Sequence, residues 1–294
     1  MQTNQSSDQI IQFPKLMSWQ RTVVNHPARF KILRCGRRAG KTQLIEIDSL
    51  SLGIKYPNLS LAYIGLTYGH AKDVVWEEYL KMAGDLIEYK NSQELLIRLV
   101  NGSRIKLYSW DSIDNMPGKK YHKVYGDEVA VARNFQSAWD NVIEPTLLDY
   151  HGEAWLASMP RGKGHFKRII DESKTKDDWQ DFHFTSYDNE AIPNVGEDLD
   201  RKRKDIAPSV FAQQYLAEFT DLQGRVYTEF KRDDALEEIP FKPASWGLSI
   251  DFGYNHPLAA YLYAISSDND IHVYKELYQR KLDDAQRLAA IKEL

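Results

Sequence analysis

The stretch Gly36-Arg37-Arg38-Ala39-Gly40-Lys41-Thr42 constrains this chain more than any other. In front of it, Phe30 to Cys35 reads as a short apolar strand. Behind it, Leu44, Ile47, Leu50 and Ile54 recur at spacings of 3, 3 and 4, the signature of one helix face. A strand, a glycine-rich turn and a helix in that order aim backbone N–H groups at one spot, where the helix dipole also favours an anion. In such a loop a lysine neutralises β- and γ-phosphate charge, and the hydroxyl that follows it ligates Mg²⁺. Lys41 and Thr42 hold those positions. One departure stands out: the usual first glycine, five residues before Gly40, is Cys35, and the glycine comes one place later at Gly36.

Composition narrows the setting. A length of 294 residues predicts about two domains, and 43% hydrophobic with 27% charged residues is globular, which excludes disordered and fibrous classes. A net charge of −4 argues against a generally basic nucleic-acid coat but allows local basic patches. Cys35 is the single cysteine, so no intramolecular disulfide forms, as expected in a reducing cytosol. Met1 to Gln12 lacks the pattern of a signal peptide, and no apolar run reaches bilayer length. The chain reads as a soluble intracellular protein.

Along the chain, Lys15 to Arg21 leads into a short helix ending near Pro27. From spacing alone Gln20 reads as a surface residue, although its amide has the donor and acceptor to read adenine's edge. Leu61 to Leu66 reads as a buried strand, followed by a helix from about His70 to Ile87 with Val74, Val75, Tyr79, Met82 and Leu86 on one side. Leu95 to Val100 and Arg104 to Trp110 flank Asn101-Gly102, a two-residue hairpin signal. Asp127-Glu128 follows a thin strand, where an Asp would hold Mg²⁺ and a Glu would polarise the attacking water. Phe135 to Leu148 reads as a helix with Trp139, Val142 and Ile143 inside. Ala154 to Ser158 reads as a strand that leaves through Met159-Pro160-Arg161-Gly162, and Ser158 is placed either to sense the γ-phosphate or simply to end the strand.

Arg161 to Arg168 and Arg201 to Lys204 are basic clusters in an acidic chain, able to meet DNA phosphates or water. Pro208-Ser209 starts a helix running to about Phe219, with Phe211, Tyr215 and Leu216 buried. A mixed stretch then precedes a new pattern: a strand at Trp246 to Gly253 ending in Asp251, a hairpin of Leu258 to Ile265 with Ile271 to Tyr278, and a last helix carrying Leu282, Ala285, Leu288, Ala289 and Ile291. Strands alternating with helices imply an α/β fold with a mostly parallel central sheet flanked by helices.

Taken in order, these stretches resemble the large subunit of the tailed-bacteriophage terminase, the DNA-packaging motor, across nearly the whole chain. Gly36, Arg37, Arg38, Ala39, Gly40, Lys41 and Thr42 are similar to the family's deviant phosphate loop, in which an arginine follows the first glycine. Gln20 falls where the family binds adenine, and Arg37 matches an arginine finger supplied in cis. Asp127 and Glu128 match the metal-binding Asp and the catalytic Glu. Ser158, Met159 and Pro160 match the coupling motif, with Met159 a departure, and Asp251 matches the first-strand carboxylate of a ribonuclease H-like nuclease.

The resemblance implies a P-loop NTPase over 1–220, a linker or subdomain over 221–245, and the start of a ribonuclease H-like α/β domain over 246–294. It implies Mg²⁺-dependent ATP hydrolysis by Lys41, Arg37 and Glu128, with ATP and Mg²⁺ as ligands and Thr42 and Asp127 on the metal. It also implies double-stranded DNA, a small terminase subunit and a procapsid portal as partners, a homo-oligomeric ring in the host cytoplasm, and no membrane. Arg104, Arg133 and Arg161 are candidates for an arginine acting on a neighbour's site. Endonuclease activity is not expected, because Asp251 cannot assemble a two-metal site alone, and Asp268 and Asp270 match no family motif. A helicase-like or repair ATPase, and a decayed prophage remnant that binds nucleotide without packaging, are the alternative readings.

Overall fold

The computed structural model describes residues 13–116, 118–162, 164–220, 239–253 and 257–294. The chain divides into two compact units, Met1–Arg225 and Val226–Leu294. Of the expected linker, residues 221–238 lie outside the described residues, as does the N-terminal stretch 1–12. Among the described residues no helix is long and apolar enough to cross a membrane.

The larger unit is a three-layer α/β sandwich. Its strands are β1 (Phe30–Cys35), β2 (Ser60–Gly65), β3 (Ile87–Asn91), β4 (Leu96–Leu99), β5 (Arg104–Ser109), β6 (Lys123–Gly126), β7 (Glu153–Ser158) and β8 (Trp179–Phe184). They form one sheet in the order β3-β4-β5-β2-β6-β7-β1-β8. The pairs from β5 across to β8 are all parallel, while β3–β4 and β4–β5 are antiparallel. A strand covered on both faces needs apolar side chains on both, which is why β1 reads as a nearly unbroken apolar run. Leu33 and Cys35 join the core on one side, with Trp155, Tyr125 and Leu44. Phe30 and Ile32 join the other, with Trp139, Ile143 and Phe166.

Two helices position the loop. α1 (Ser18–Asn25) packs beneath it, and α2 (Lys41–Lys55) leaves it across the sheet. α2 is buried well beyond the expected stripe, on Glu46, Asp48 and Ser49 as well as Leu44, Ile47 and Leu50.

Several local readings need correction. The expected helix 70–87 contains a wide π-type turn at Ala71–Trp76 and gives way to a 3₁₀ turn after Ala83. The extra residue in that turn shifts the phase, so Ala71, Val75, Trp76 and Tyr79 are buried while Val74 is 43% exposed. Ile87 begins β3 instead of ending a helix. The Asn101-Gly102 hairpin forms, but its loop has three residues, Val100 to Gly102, closed by the Leu99 N–H donating to the Ser103 carbonyl. The Asn101 side chain turns away to donate to the Gly53 and Ile54 carbonyls near the end of α2. The helix begun by Pro208 stops at Tyr215, and Tyr215 and Leu216 are half-buried.

The smaller unit is an antiparallel sheet in the order β11-β10-β9, with β9 (Ser245–Asp251), β10 (Leu258–Ile265), β11 (Ile271–Gln279) and a helix, Asp284–Lys292. Leu258, Ala260 and Leu277 form its core with Ile250, Leu282, Ala290, Ile291 and Leu294. Leu288, expected inside, is 56% exposed because the helix presents Ala290 and Ile291 to the sheet instead.

Candidate active site

Every parallel strand points its C-terminal end toward the same rim, and the loop after β1 sits there. β7, ending in Ser158, lies between β1 and β6, so the Gly36–Thr42 loop, Ser158 and Asp127-Glu128 come together although they are separated by as much as about 120 residues in the chain.

The displaced glycine has a steric cause. A Cβ at residue 36 would lie 2.5 Å from the Tyr215 carbonyl oxygen and 2.7 Å from the Ser186 nitrogen. The chain therefore threads a gap there that only glycine passes. Position 35 still belongs to the strand, and the fully buried Cys35 acts as a small hydrophobe whose thiol burial pushes up to about 12. Gly40 enters α2 with φ +100°, a left-handed conformation suited to glycine.

The loop amides are only partly free. Gly36 N–H donates to the Phe184 carbonyl at 2.8 Å, and Arg37 N–H to the Gln214 carbonyl at 2.6 Å. The anion cradle therefore narrows to the later half, where the first turn of α2 leaves the N–H groups of Lys41, Thr42 and Gln43 without intrahelical partners. The loop backbone is pinned further by Ser186 Oγ donating to the Arg37 carbonyl and Asn189 Nδ2 to the Arg38 carbonyl, both at 2.6 Å. The Arg37 side chain is exposed, its Nη1 3.5 Å from Gln214 Oε1.

Gln20 is not a surface residue. It is fully buried, its Oε1 accepting from Met17 N–H at 2.9 Å and its Nε2 donating to the Gly40 carbonyl at 3.0 Å. Its amide thus braces the loop, because α1 packs directly under Gly40.

Thr42 Oγ1 donates to Asp127 Oδ2 at 2.7 Å. A hydroxyl and a carboxylate oxygen side by side are hard donors of the kind Mg²⁺ takes, with water and substrate phosphates completing its shell, so the pair fits that ion. Asp127 is held on every side. Tyr63 OH donates to Oδ2 at 3.3 Å, Trp110 Nε1 to the main-chain carbonyl at 2.7 Å, and Glu128 N–H to Oδ1 at 2.9 Å. Glu128 sits at φ +55°, a left-handed conformation that costs a non-glycine residue about 1–3 kcal/mol. Its Oε1 is 2.7 Å from Lys41 Nζ, with Asp127 Oδ1 at 4.0 Å. Burial works against the Lys41 ammonium, but the Asp127 and Glu128 carboxylates outweigh it and hold its pKa above the ordinary lysine range.

Ser158 is fully buried at the end of β7; its Oγ accepts from Ala130 N–H and donates to the Met159 carbonyl, both at 3.0 Å. Met159 and Pro160 follow it out of the strand. Arg133 and Arg161 are exposed in the segments after β6 and β7, whereas Arg104 begins β5 and so sits at the opposite rim. Tyr63, Trp110, Ser186 and Asn189 carry no site reading from sequence. Only Tyr63 had a faint signal, its place near the end of a buried strand.

In the smaller unit, Asp251 ends β9 and is exposed, paired in register with Ala259. Asp268 and Asp270 lie in the turn at the other end of β10, about 20 Å away at strand rise, too far to share a metal with Asp251. Among the described residues, no group of three or more His, Cys, Asp or Glu side chains gathers as a metal site.

Comparison with known proteins agrees with this architecture. The pattern defining the terminase large subunit, T4likevirus-type, N-terminal, matches residues 32–234. The chain belongs to the terminase large subunit family. It is 27% identical over 265 residues to the terminase large subunit of Escherichia phage T5, covering 86% of this chain and 60% of that protein. To the corresponding subunit of Thermus virus P23-45 it is 24% identical over 278 residues, covering 82% and 55%. The chain thus spans little more than half the length of these relatives. In fold it is similar to the large terminase ATPase domain of Thermus phage P74-26 (TM-score 0.61, 22% identity, 70% of this chain and 94% of that one). It is also similar to the large terminase of a thermophilic bacteriophage in complex with ATP-gamma-S (TM-score 0.59, 17% identity, 95% and 73%).

Proposed function

We propose that this chain is the ATP-hydrolysing part of a phage terminase motor that drives double-stranded DNA into procapsids. The observation that carries the reading is the meeting of Lys41 and Thr42 with Asp127 and Glu128 at the rim of a parallel sheet. ATP would lay its β- and γ-phosphates on the N-terminal turn of α2, and Lys41 would swing from Glu128 to the incoming phosphate oxygens. Thr42 and Asp127 would hold Mg²⁺, which when bound neutralises charge across those oxygens. Released from Lys41, Glu128 would accept a proton from the attacking water, and Arg37 would stabilise charge on the transferring group. Gln20, the residue the resemblance assigns to adenine, would instead brace the loop, because its amide is committed to Met17 and Gly40. Ser158, with Met159 and Pro160, would couple the phosphate state to the rest of the chain.

In this reading the ATPase domain spans 1–220 and a linker spans 221–245. Residues 246–294 begin a ribonuclease H-like domain, with Asp251 a single carboxylate of its site. A homo-oligomeric ring on a portal, a small terminase subunit, host cytoplasm and duplex DNA gripped by its backbone complete the proposal.

ATP turnover with and without linear duplex DNA tests it. DNA should stimulate the wild type, and Glu128→Gln should cut kcat about 10²- to 10⁴-fold while nucleotide still binds. Near-normal turnover in that variant would sink the assignment.

A further inference from the structure

One peptide unit beside the site is held at both of its polar groups. The Val129 carbonyl lies 2.6 Å from His165 Nε2, and the N–H of the same peptide, on Ala130, donates to Ser158 Oγ at 3.0 Å. A carbonyl only accepts, so His165 Nε2 carries the proton and donates. The ring cannot easily turn away, because it stacks on Phe135 with centroids 5.6 Å apart and planes at 10°. One turn on, Arg168 Nη2 donates to Gln136 Oε1 at 2.9 Å, tying the same helix, His165–Ser173, to the segment carrying Phe135. Ala132 N–H shares the Val129 carbonyl at 3.1 Å, closing the turn that follows Glu128.

A left-handed non-glycine residue persists only where its surroundings over-determine it. Glu128 is such a residue, and the gripped peptide starts at its immediate neighbour. We infer that His165 is a positioning residue for hydrolysis: together with Ser158 it clamps the 129–130 peptide and so holds Glu128 in the conformation that aims its carboxylate into the site. Both prongs come from the two ends of one stretch, 158–165, and a shift at either end reaches Glu128 through a single residue. The inference rests on the proposed role of Glu128 and adds to it a residue that takes no part in the hydrogen bonds and ion pairs of Lys41, Thr42 and Asp127.

His165→Phe keeps the stack on Phe135 and removes the donor, whereas His165→Gln keeps a donor at similar reach. In the full chain, the Phe variant should lose kcat about threefold to thirtyfold, the range of side-chain networks that act through a neighbour. The KM for ATP and the affinity for a fluorescent ATP analogue should hold, because the loss falls on the transition state. The Gln variant should recover most of the loss. Amide hydrogen exchange across 128–132 reads the same clamp without catalysis: it should quicken in the Phe variant and return toward wild type in the Gln variant. Wild-type kcat in the Phe variant, a loss that Gln does not rescue, or unchanged exchange overturns the inference. If Glu128→Gln hydrolyses normally while exchange responds as expected, the clamp exists and the role of Glu128 is what fails.

Discussion

α2 is tied to β6 twice by buried charge, and the two ties are built in opposite senses. At the helix N-terminus, α2 supplies the cation and the strand end the anions: Lys41 faces Glu128 at 2.7 Å and Asp127 at 4.0 Å. Two turns further, α2 supplies the anion and the strand the cation: Asp48 Oδ2 accepts from Lys123 Nζ at 2.7 Å and from Tyr125 OH at 2.5 Å. The second tie is closed. Lys123 also meets Glu153 at 3.3 Å and lies 3.9 Å over the Trp155 ring, and the neighbouring Lys31 donates to the Val23 carbonyl at 2.9 Å. The first tie is open. Lys41 stands where the helix dipole disfavours a cation and where backbone N–H groups are free of intrahelical partners, so in the proposed reading a polyphosphate would improve that end, whereas the other is already saturated. Charge type does not separate a site from a structural pair here. Saturation of the partners does.

Removing a member of each tie tests this. The largest effect is expected from Asp48→Ala, which leaves the buried Lys123 beside Lys31 with the half-exposed Glu153 as its counter-charge and takes the acceptor from Tyr125 OH. Chemical denaturation should show a loss of about 3–5 kcal/mol, with turnover per folded molecule retained. A variant that lost turnover at unchanged stability would erase the distinction. Lys41→Ala should do the reverse, cutting ATP turnover about 10²- to 10³-fold or more and weakening nucleotide binding, measured by steady-state hydrolysis and nucleotide titration.

The smallest effect sharpens the comparison through pH. Burial, followed by the nearby Lys123 charge, lowers Lys31 to about 8. The unfolded chain therefore binds more protons than the folded one between about pH 8 and the ordinary lysine value near 10.4, and stability attributable to this group rises with pH across that window. Below it, the charged ammonium weakens the fold. Lys31→Met should thus raise stability by about 1–2 kcal/mol at pH 7, less than the full burial cost because the bond to Val23 is lost, and the gain should fade by about pH 10.5. Melting curves of both proteins from pH 7 to 10.5 check this.

Legibility followed the range of the interactions. The Gly36–Thr42 turn was readable because its strand, glycine turn and helix are contiguous, and the hairpin because Asn101-Gly102 is local. β3 and β8 were not readable: each is an outer strand of the sheet with polar residues among its apolar ones, Ile87-Glu88-Tyr89-Lys90-Asn91 and Trp179-Gln180-Asp181-Phe182-His183-Phe184. A π-type turn moved Val74 outward, an insertion in backbone phase that leaves no mark in spacing. Gln20 went from apparent surface residue to full burial because what covers it, Gly40 and its loop, is twenty residues away.

By itself the sequence determined the chemistry available. Lys41, Thr42, Asp127, Glu128 and Ser158 sit at the ends of recognisable strands and turns, and short-range backbone preference suffices to put them there. Only the tertiary structure decided that β7 runs between β1 and β6 and brings these residues to one rim. It alone decided why glycine stands at 36 and not 35, since the obstructing atoms belong to Tyr215 and Ser186. It alone gripped the 129–130 peptide from His165. Each of these depends on atoms distant in the chain meeting at a few ångströms, and local propensity carries no record of such distances.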